Sequence, residues 1–217
     1  MSSWDITLSL RLRTRKKLLV SSRSLELDPA LDVAFVRFGY GEAAKPYLPA
    51  STLKGVLRTA LVRVAELLGY TLSVKTVEPS RLATATAFTS GDIVCSLFGR
   101  PHGPGGKVYI LPTMLDEKTY RLAHVKIDDI TRTAEHGGLY TAEYIPIGSE
   151  FEAKMEAKGV SVEEAEALLT AIAALPYERV GRAGLVDVKI DVAKSVIPSE
   201  LTERSRVIKE IMEAVGI

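Results

Sequence analysis

An α+β sandwich, with helices on one face of an antiparallel sheet, is the fold class this chain predicts, in a ferredoxin-like or RRM-like arrangement carrying insertions. Three observations predict it. Hydrophobic spacing switches along the chain between the two-residue alternation of half-buried strands and the repeat of amphipathic helices. These segments fall in the order strand, helix, strands, helix, strand, with no internal repeat. A length of 217 residues fits one domain of generous size, read here as residues 1–217 with an inserted lobe at about 70–106 and a projecting hairpin at about 126–146.

Trp4 to Leu12 alternates, with Ile6, Leu8, Leu10 and Leu12 set against Thr7, Ser9 and Arg11, which is a strand with a basic outer face. Arg11, Arg13, Arg15, Lys16 and Lys17 fall within seven residues. Residues 21–46 form a long connection in which Ala34 to Phe38 suits a short strand; connections of this length are usually functional or disordered. Residues 47–59 read as a helix capped by Ser51 or Thr52 after Pro49. Its apolar stripe, Leu53, Val56, Leu57, Ala60, Leu61, Val64, Leu67 and Leu68, ends near Gly69.

Residues 70–94, rich in Thr, Ser and Ala, form the inserted lobe, which Cys95-Ser-Leu-Phe-Gly99 closes. The flexible run Arg100 to Gly106 leads into a strand from Lys107 to Leu111. Lys126 to Thr133 and Leu139 to Ile145 are extended segments around Gly137-Gly138, a hairpin signal. A strand from Glu150 to Ala157 precedes a helix from Ser161 to Leu175, where Ser161 and Glu164 make a capping box. Val180-Gly-Arg-Ala-Gly184 enters a strand from Leu185 to Val192, and Ser199 to Val215 reads as one terminal helix capped by Ser199 or Thr202.

Bulk composition excludes several classes. With 47% hydrophobic and 25% charged residues and a net charge of +1, any nucleic-acid surface must be a local patch. The single cysteine, Cys95, excludes an internal disulfide and a thiolate metal cluster, and implies a reducing setting. No apolar run approaches a membrane span and no signal-peptide core is present, so no membrane partner and a cytoplasmic location are expected. Asn and Gln are absent while Glu, Lys, Arg and aliphatic residues abound, which suggests a hyperthermophilic source.

Chemistry points first to the helix at 47–59. Its first turns carry Lys54 and Arg58, where the positive end of the helix dipole favours acids. With Ser51, Thr52 and free backbone N–H groups, the two cations make a phosphate cradle, and Gly55 lets a ligand backbone come close. A solvated amphipathic helix with a mediocre cap accounts for the same residues equally well. Asp28 and Asp32 lie in the loop ahead; one acid can hold a divalent metal together with phosphate oxygens. Turn chemistry explains Asp28 before Pro29 better than it explains Asp32, between Leu31 and Val33. His102, His124 and His136 lack metal-ligand spacing, and Gly103-Pro-Gly-Gly106 lacks the Lys-Ser/Thr of a P-loop. The hairpin bears Lys126, Arg132, His136, Tyr140 and Tyr144, cations and rings suited to a nucleic acid, although an ordinary edge hairpin can carry them too.

Taken in order, three motifs resemble the RAMP superfamily of CRISPR-associated proteins, and most of all the backbone subunit of type III effector complexes. They are Tyr47-Leu-Pro-Ala-Ser-Thr-Leu-Lys-Gly-Val-Leu-Arg58, similar to the family's Pro-x-Ser-Ser-Leu-Lys-Gly-x-Arg pattern; Leu97-Phe98-Gly99 with its Gly-rich turn and Lys107-Val-Tyr-Ile110; and Val125-Lys-Ile-Asp-Asp-Ile-Thr-Arg-Thr-Ala134. The resemblance covers about residues 5–192. It implies a modified RRM-like fold with a lid-like insertion, whose copies stack head to tail along a guide RNA. It also implies that Ser51, Thr52, Lys54, Gly55 and Arg58 touch the guide backbone, with Lys126, Arg132 and Arg182 as further RNA contacts.

On the same resemblance the hairpin is the family's thumb, which intrudes between guide and target RNA and displaces one nucleotide at regular intervals. An Asp in the loop before the helix drives metal-dependent cleavage of single-stranded target RNA; by position that residue, and the ligand of the metal, expected to be Mg2+, is Asp32, with Asp28 second. The implied partners are guide RNA, target RNA, further copies of the chain and other CRISPR effector subunits, in antiviral defence. A capping subunit that binds without cutting is the alternative; a guide-processing ribonuclease, which usually relies on a His placed elsewhere, fits less well. The chain departs from the pattern in three places: the C-terminal Gly-rich loop is reduced to Val180-Gly-Arg-Ala-Gly184, Asp129 stands where many relatives carry Arg, and the loop around Asp32 diverges in its glycines.

Overall fold

The computed structural model describes residues 3–21, 31–39, 41–70, 72, 92–99, 104–182 and 184–217. In chain order the elements are β1 (Trp4–Thr14), β2 (Arg37–Phe38), β3 (Lys45–Leu48), α1 (Ala50–Ala65), α2 (Ile93–Phe98), β4 (Val108–Ile110), β5 (Thr113–Met114), β6 (Tyr120–Ile127), β7 (Ala134–Tyr144), β8 (Glu150–Val160), α3 (Val162–Ala173), β9 (Val186–Ile190), α4 (Ser199–Arg204) and α5 (Arg206–Val215). Most of the inserted lobe, together with Asp28 and His102, lies outside the described residues.

β4, β8, β1 and β9 form a four-stranded antiparallel sheet in that order. β1-α1-β4 and β8-α3-β9 are thus two split βαβ units, each with a strand of the other inserted, which is the expected ferredoxin-like arrangement. Register places Leu8, Leu10 and Leu12 opposite Met155, Ala153 and Phe151, and Leu10 and Leu12 opposite Ile190 and Val188. These residues are buried on one face, where Leu53, Leu57, Ala60 and Leu61 of α1 and Ala165, Leu168, Leu169 and Ile172 of α3 join the same core. Each fully buried aliphatic side chain contributes about 1.5–3 kcal/mol.

The opposite face of the sheet is a mesh of charges. Arg11, Arg13 and Arg15 pair with Asp191, Glu150 and Asp187 at 3.5, 3.8 and 3.6 Å. The basic outer face read from β1 is therefore largely neutralised by its neighbours. Cross-strand register, which the sequence of β1 alone does not contain, supplies the carboxylates.

Other boundaries also differ from the sequence reading. Tyr47 and Leu48 finish β3, because the residue before a proline is forced toward extended backbone, and α1 begins at Ala50 with Pro49 as its N-cap and no side-chain cap. α1 ends at Ala65, and Leu67, assigned to its stripe, is exposed. The hairpin consists of β6 and β7, and its turn is not Gly137-Gly138. Asp128 Oδ1 accepts the N–H groups of Ile130 and Thr131 at 2.9 and 2.6 Å, and Arg132 adopts a left-handed φ of 57°, so an aspartate turn closes the ribbon. Both glycines sit inside β7 beside a register shift. The terminal helix is broken at Ser205, whose hydroxyl accepts from Ile208 N–H at 3.0 Å and donates to Glu166 at 2.5 Å, starting α5 afresh.

Candidate nucleic-acid interface

Residues at the start of α1 divide into two groups. Ser51 and Gly55 are exposed, Thr52 is half-buried, and a Cβ placed on Gly55 would meet nothing within 4 Å. Lys54 and Arg58 are half-buried and lie along the flank of the helix: Lys54 Nζ donates to the Val108 carbonyl at 2.8 Å and Arg58 Nη2 to the Gly99 carbonyl at 2.6 Å. Burial, and then the neighbouring Arg58 guanidinium, hold the Lys54 ammonium below the usual lysine range. The ammonium has three donors, of which this contact uses one. The two cations thus tie α1 to the second motif as well as flanking its open first turns.

That second motif is a close backbone contact. A Cβ on Gly106 would fall 2.3 Å from the Phe98 carbonyl carbon and 2.4 Å from Gly99 N. Gly99, with φ 78°, ends α2 there, so the Leu-Phe-Gly segment and the glycines behind it fit together only without side chains.

Asp32 is exposed and joined to the hairpin. Its Oδ2 accepts Thr141 N–H at 2.7 Å, while the N–H groups of Asp32 and Val33 both donate to the Thr141 carbonyl at 3.1 Å. Val33 also pairs in parallel with Ala142, so the loop forms a short added rung on the edge of β7. Glu143 fastens the next rung. Its buried carboxylate accepts Phe35 N–H at 2.9 Å and is held by Arg37 and by the Thr119 hydroxyl. Glu143, Arg37 and Thr119 were not singled out from sequence. The available signal was a carboxylate inside the otherwise apolar run Ala142-Glu143-Tyr144-Ile145.

Among the described residues no group of three or more His, Cys, Asp or Glu is placed to hold a metal ion. Asp32 is a single carboxylate of the kind that takes a hard divalent cation only when phosphate oxygens and water complete the shell. Its donor chemistry fits such a cation at an RNA backbone.

The remaining predicted contacts are spread over the hairpin and the loop before β9. Lys126 pairs with Glu135 across the ribbon at 2.7 Å, and Arg132 stands exposed in the turn beside Asp129. Arg182 is exposed, but its N–H donates to the Leu19 carbonyl at 3.0 Å. Gly181 before it has φ 65°, and a Cβ there would lie 2.1 Å from Leu19 O. The reduced glycine loop is therefore seated against the segment that follows β1. The structure brings Asp32 to the hairpin and Lys54 and Arg58 to the second motif. One continuous stretch joins the two: Tyr47 N–H, just before α1, donates to the Val36 carbonyl at 3.2 Å. No described helix is long and apolar enough to cross a membrane.

Comparison with known proteins bears on the fold and the family. No curated protein matches the sequence. Among solved structures the fold is similar to that of a chain in the cryo-EM structure of the type III-B Cmr-β bound to cognate target RNA, at 14% identity and a TM-score of 0.59, covering 85% of this chain and 96% of that one. The sequence profile of the RAMP superfamily matches residues 35–185, from the loop behind Asp32 to the glycine loop before β9. The chain belongs to the RAMP superfamily.

Proposed function

We propose that this protein is an RNA-binding backbone subunit of a type III CRISPR RNA-guided effector complex, with guide RNA, target RNA, further copies of itself and other effector subunits as partners. Membership of the superfamily and the fold shared with a chain of a type III-B assembly support the reading. The observation that carries it is the rung between the Asp32 loop and β7, which sets an exposed carboxylate at the edge of the projecting hairpin. Single-stranded RNA tracking past the exposed first turn of α1 toward the hairpin would meet phosphate-binding donors first and this carboxylate next.

On this reading target RNA is cut beside the hairpin. Thr141 N–H fixes the orientation of Asp32, and Glu143 and Arg37 hold the strand that carries it. Asp32 would hold a divalent cation, Mg2+ on this reading, which would supply charge neutralisation at the scissile phosphate. Asp32→Asn keeps an acceptor for Thr141 N–H and removes the charge. In the assembled complex this variant should bind guide and target as wild type does and cut at least about a hundredfold more slowly.

Undiminished cutting would remove Asp32 from the chemistry, whereas no cutting by the wild-type complex would leave a subunit that binds RNA without cleaving it. One observation favours that second reading: Asp32 Oδ2 is already engaged by Thr141, and the adjacent acid, Glu143, is consumed by Phe35, Arg37 and Thr119.

A further inference from the structure

A row of rings occupies one face of the hairpin. Antiparallel register sets Tyr120 opposite Tyr144 and His124 opposite Tyr140, and the two-residue period of a strand puts all four on the same side. Ring centroids of Tyr120 and Tyr144 are 6.0 Å apart. Tyr144 and His124 are 5.6 Å apart, with the tyrosine hydroxyl 2.9 Å from His124 Nε2. His124 and Tyr140 are 5.0 Å apart and inclined by only 19°, a stacked pair. On the other face Val125, Ile127 and Leu139 stand 52%, 56% and 67% exposed.

The row runs from buried to open and is cationic at its inner end. Tyr144 is 5% exposed, whereas Tyr140 is 38% exposed. Lys17 Nζ lies 4.6 Å from the centroid of the Tyr144 ring. Arg182, from the glycine loop, is near enough to lower the tendency of the Tyr144 hydroxyl to stay protonated, although burial and the two neighbouring tyrosines outweigh it. A row serving only to brace the hairpin root would end in covered rings. Here the stacked pair reaches solvent through Tyr140, while cations from two separate segments of chain stand at the row's inner end, beside Tyr144.

We propose that the Tyr140–His124 pair is a stacking platform for a nucleobase of single-stranded RNA, with Lys17 and Arg182 drawing the adjoining phosphates toward the hairpin root. It rests on the RNA-binding reading above and adds the element that holds base faces, where the start of α1 holds backbone. Aromatic stacking accepts any base, so the platform suits a partner whose sequence varies.

The test uses the full chain and two labelled single-stranded RNAs of equal length, one with all its bases and one abasic through its central positions. Tyr140→Ala should weaken binding of the base-bearing RNA roughly tenfold and leave the abasic RNA unaffected. Tyr140→Phe should bind both as wild type does. Irradiated RNA containing 5-iodouridine should cross-link to the peptide that carries Tyr140 or to that of His124. Equal loss on both RNAs, or no loss with cross-links mapping elsewhere, overturns the platform while leaving RNA binding in place. Failure of the wild-type chain to bind either RNA overturns both readings.

Discussion

Gly55 is where helix stability and the proposed RNA binding pull in opposite directions. A glycine inside an exposed helix costs about 1 kcal/mol relative to alanine, and nothing in the fold stands where the methyl group would go. Gly55→Ala should therefore raise the unfolding free energy in urea by about 1 kcal/mol, and weaken RNA binding by filling the space a backbone must approach. A gain in stability with unchanged binding would make Gly55 an ordinary helix defect. The anomaly of Lys54 and Arg58 at a helix start was legible in the sequence, and so was the small residue between them. The direction of the two cations was not, because Val108 and Gly99 are reached only once β4 and α2 are in place. Glu143 was illegible as a latch for the same reason, since its partners Phe35, Arg37 and Thr119 lie in distant segments.

Elements whose signals are local were read well. The capping box of α3 is present in full, with Ser161 Oγ accepting Glu164 N–H at 3.2 Å and Glu164 accepting Ser161 N–H at 2.8 Å. What Glu164 does beyond its own helix came only with the fold: it also accepts from Lys107 Nζ at 2.5 Å and from the Ser96 hydroxyl, joining α3 to α2 and to the chain entering β4. Burial pushes its carboxyl up, but Lys107, Ser96 and Ser161 outweigh burial and hold it below the ordinary 4.5. A carboxyl more acidic when folded stabilises fully above its unfolded value and loses that contribution as pH falls through the folded one. Glu164→Gln should cost about 1–2 kcal/mol in urea unfolding at neutral pH, and the gap from wild type should close in acid below that window. A gap that persists in acid would assign Glu164 a packing role only. The hairpin shows the limit of local signals: Gly137-Gly138 reads as the turn, yet the three bonds Asp128 makes to the Ile130 and Thr131 backbone and the Thr131 hydroxyl close the ribbon earlier.

At the scale of the molecule, a net charge of +1 leaves no general attraction for RNA, and the distribution of charge decides where it binds. The open face of the sheet is an unpromising platform. Most of its cations are paired with carboxylates, and Tyr109, an exposed ring on it, already has Lys158 Nζ 5.8 Å from its centroid. On the proposed reading RNA meets the margin built by the start of α1, the Asp32 loop and the hairpin. The order of segments was enough to place the two split βαβ units. It did not reveal that the long connection before α1 adds a rung to the hairpin, because that pairing joins segments more than a hundred residues apart. The most direct measurement is the affinity of the full chain for single-stranded RNAs of unrelated sequence across a salt series. Comparable affinities are expected for all of them, with log K falling linearly against log salt at a slope of about 0.7 per phosphate contacted. Binding to none of them, binding indifferent to salt, or binding confined to one RNA hairpin would contradict a subunit that grips RNA by its backbone.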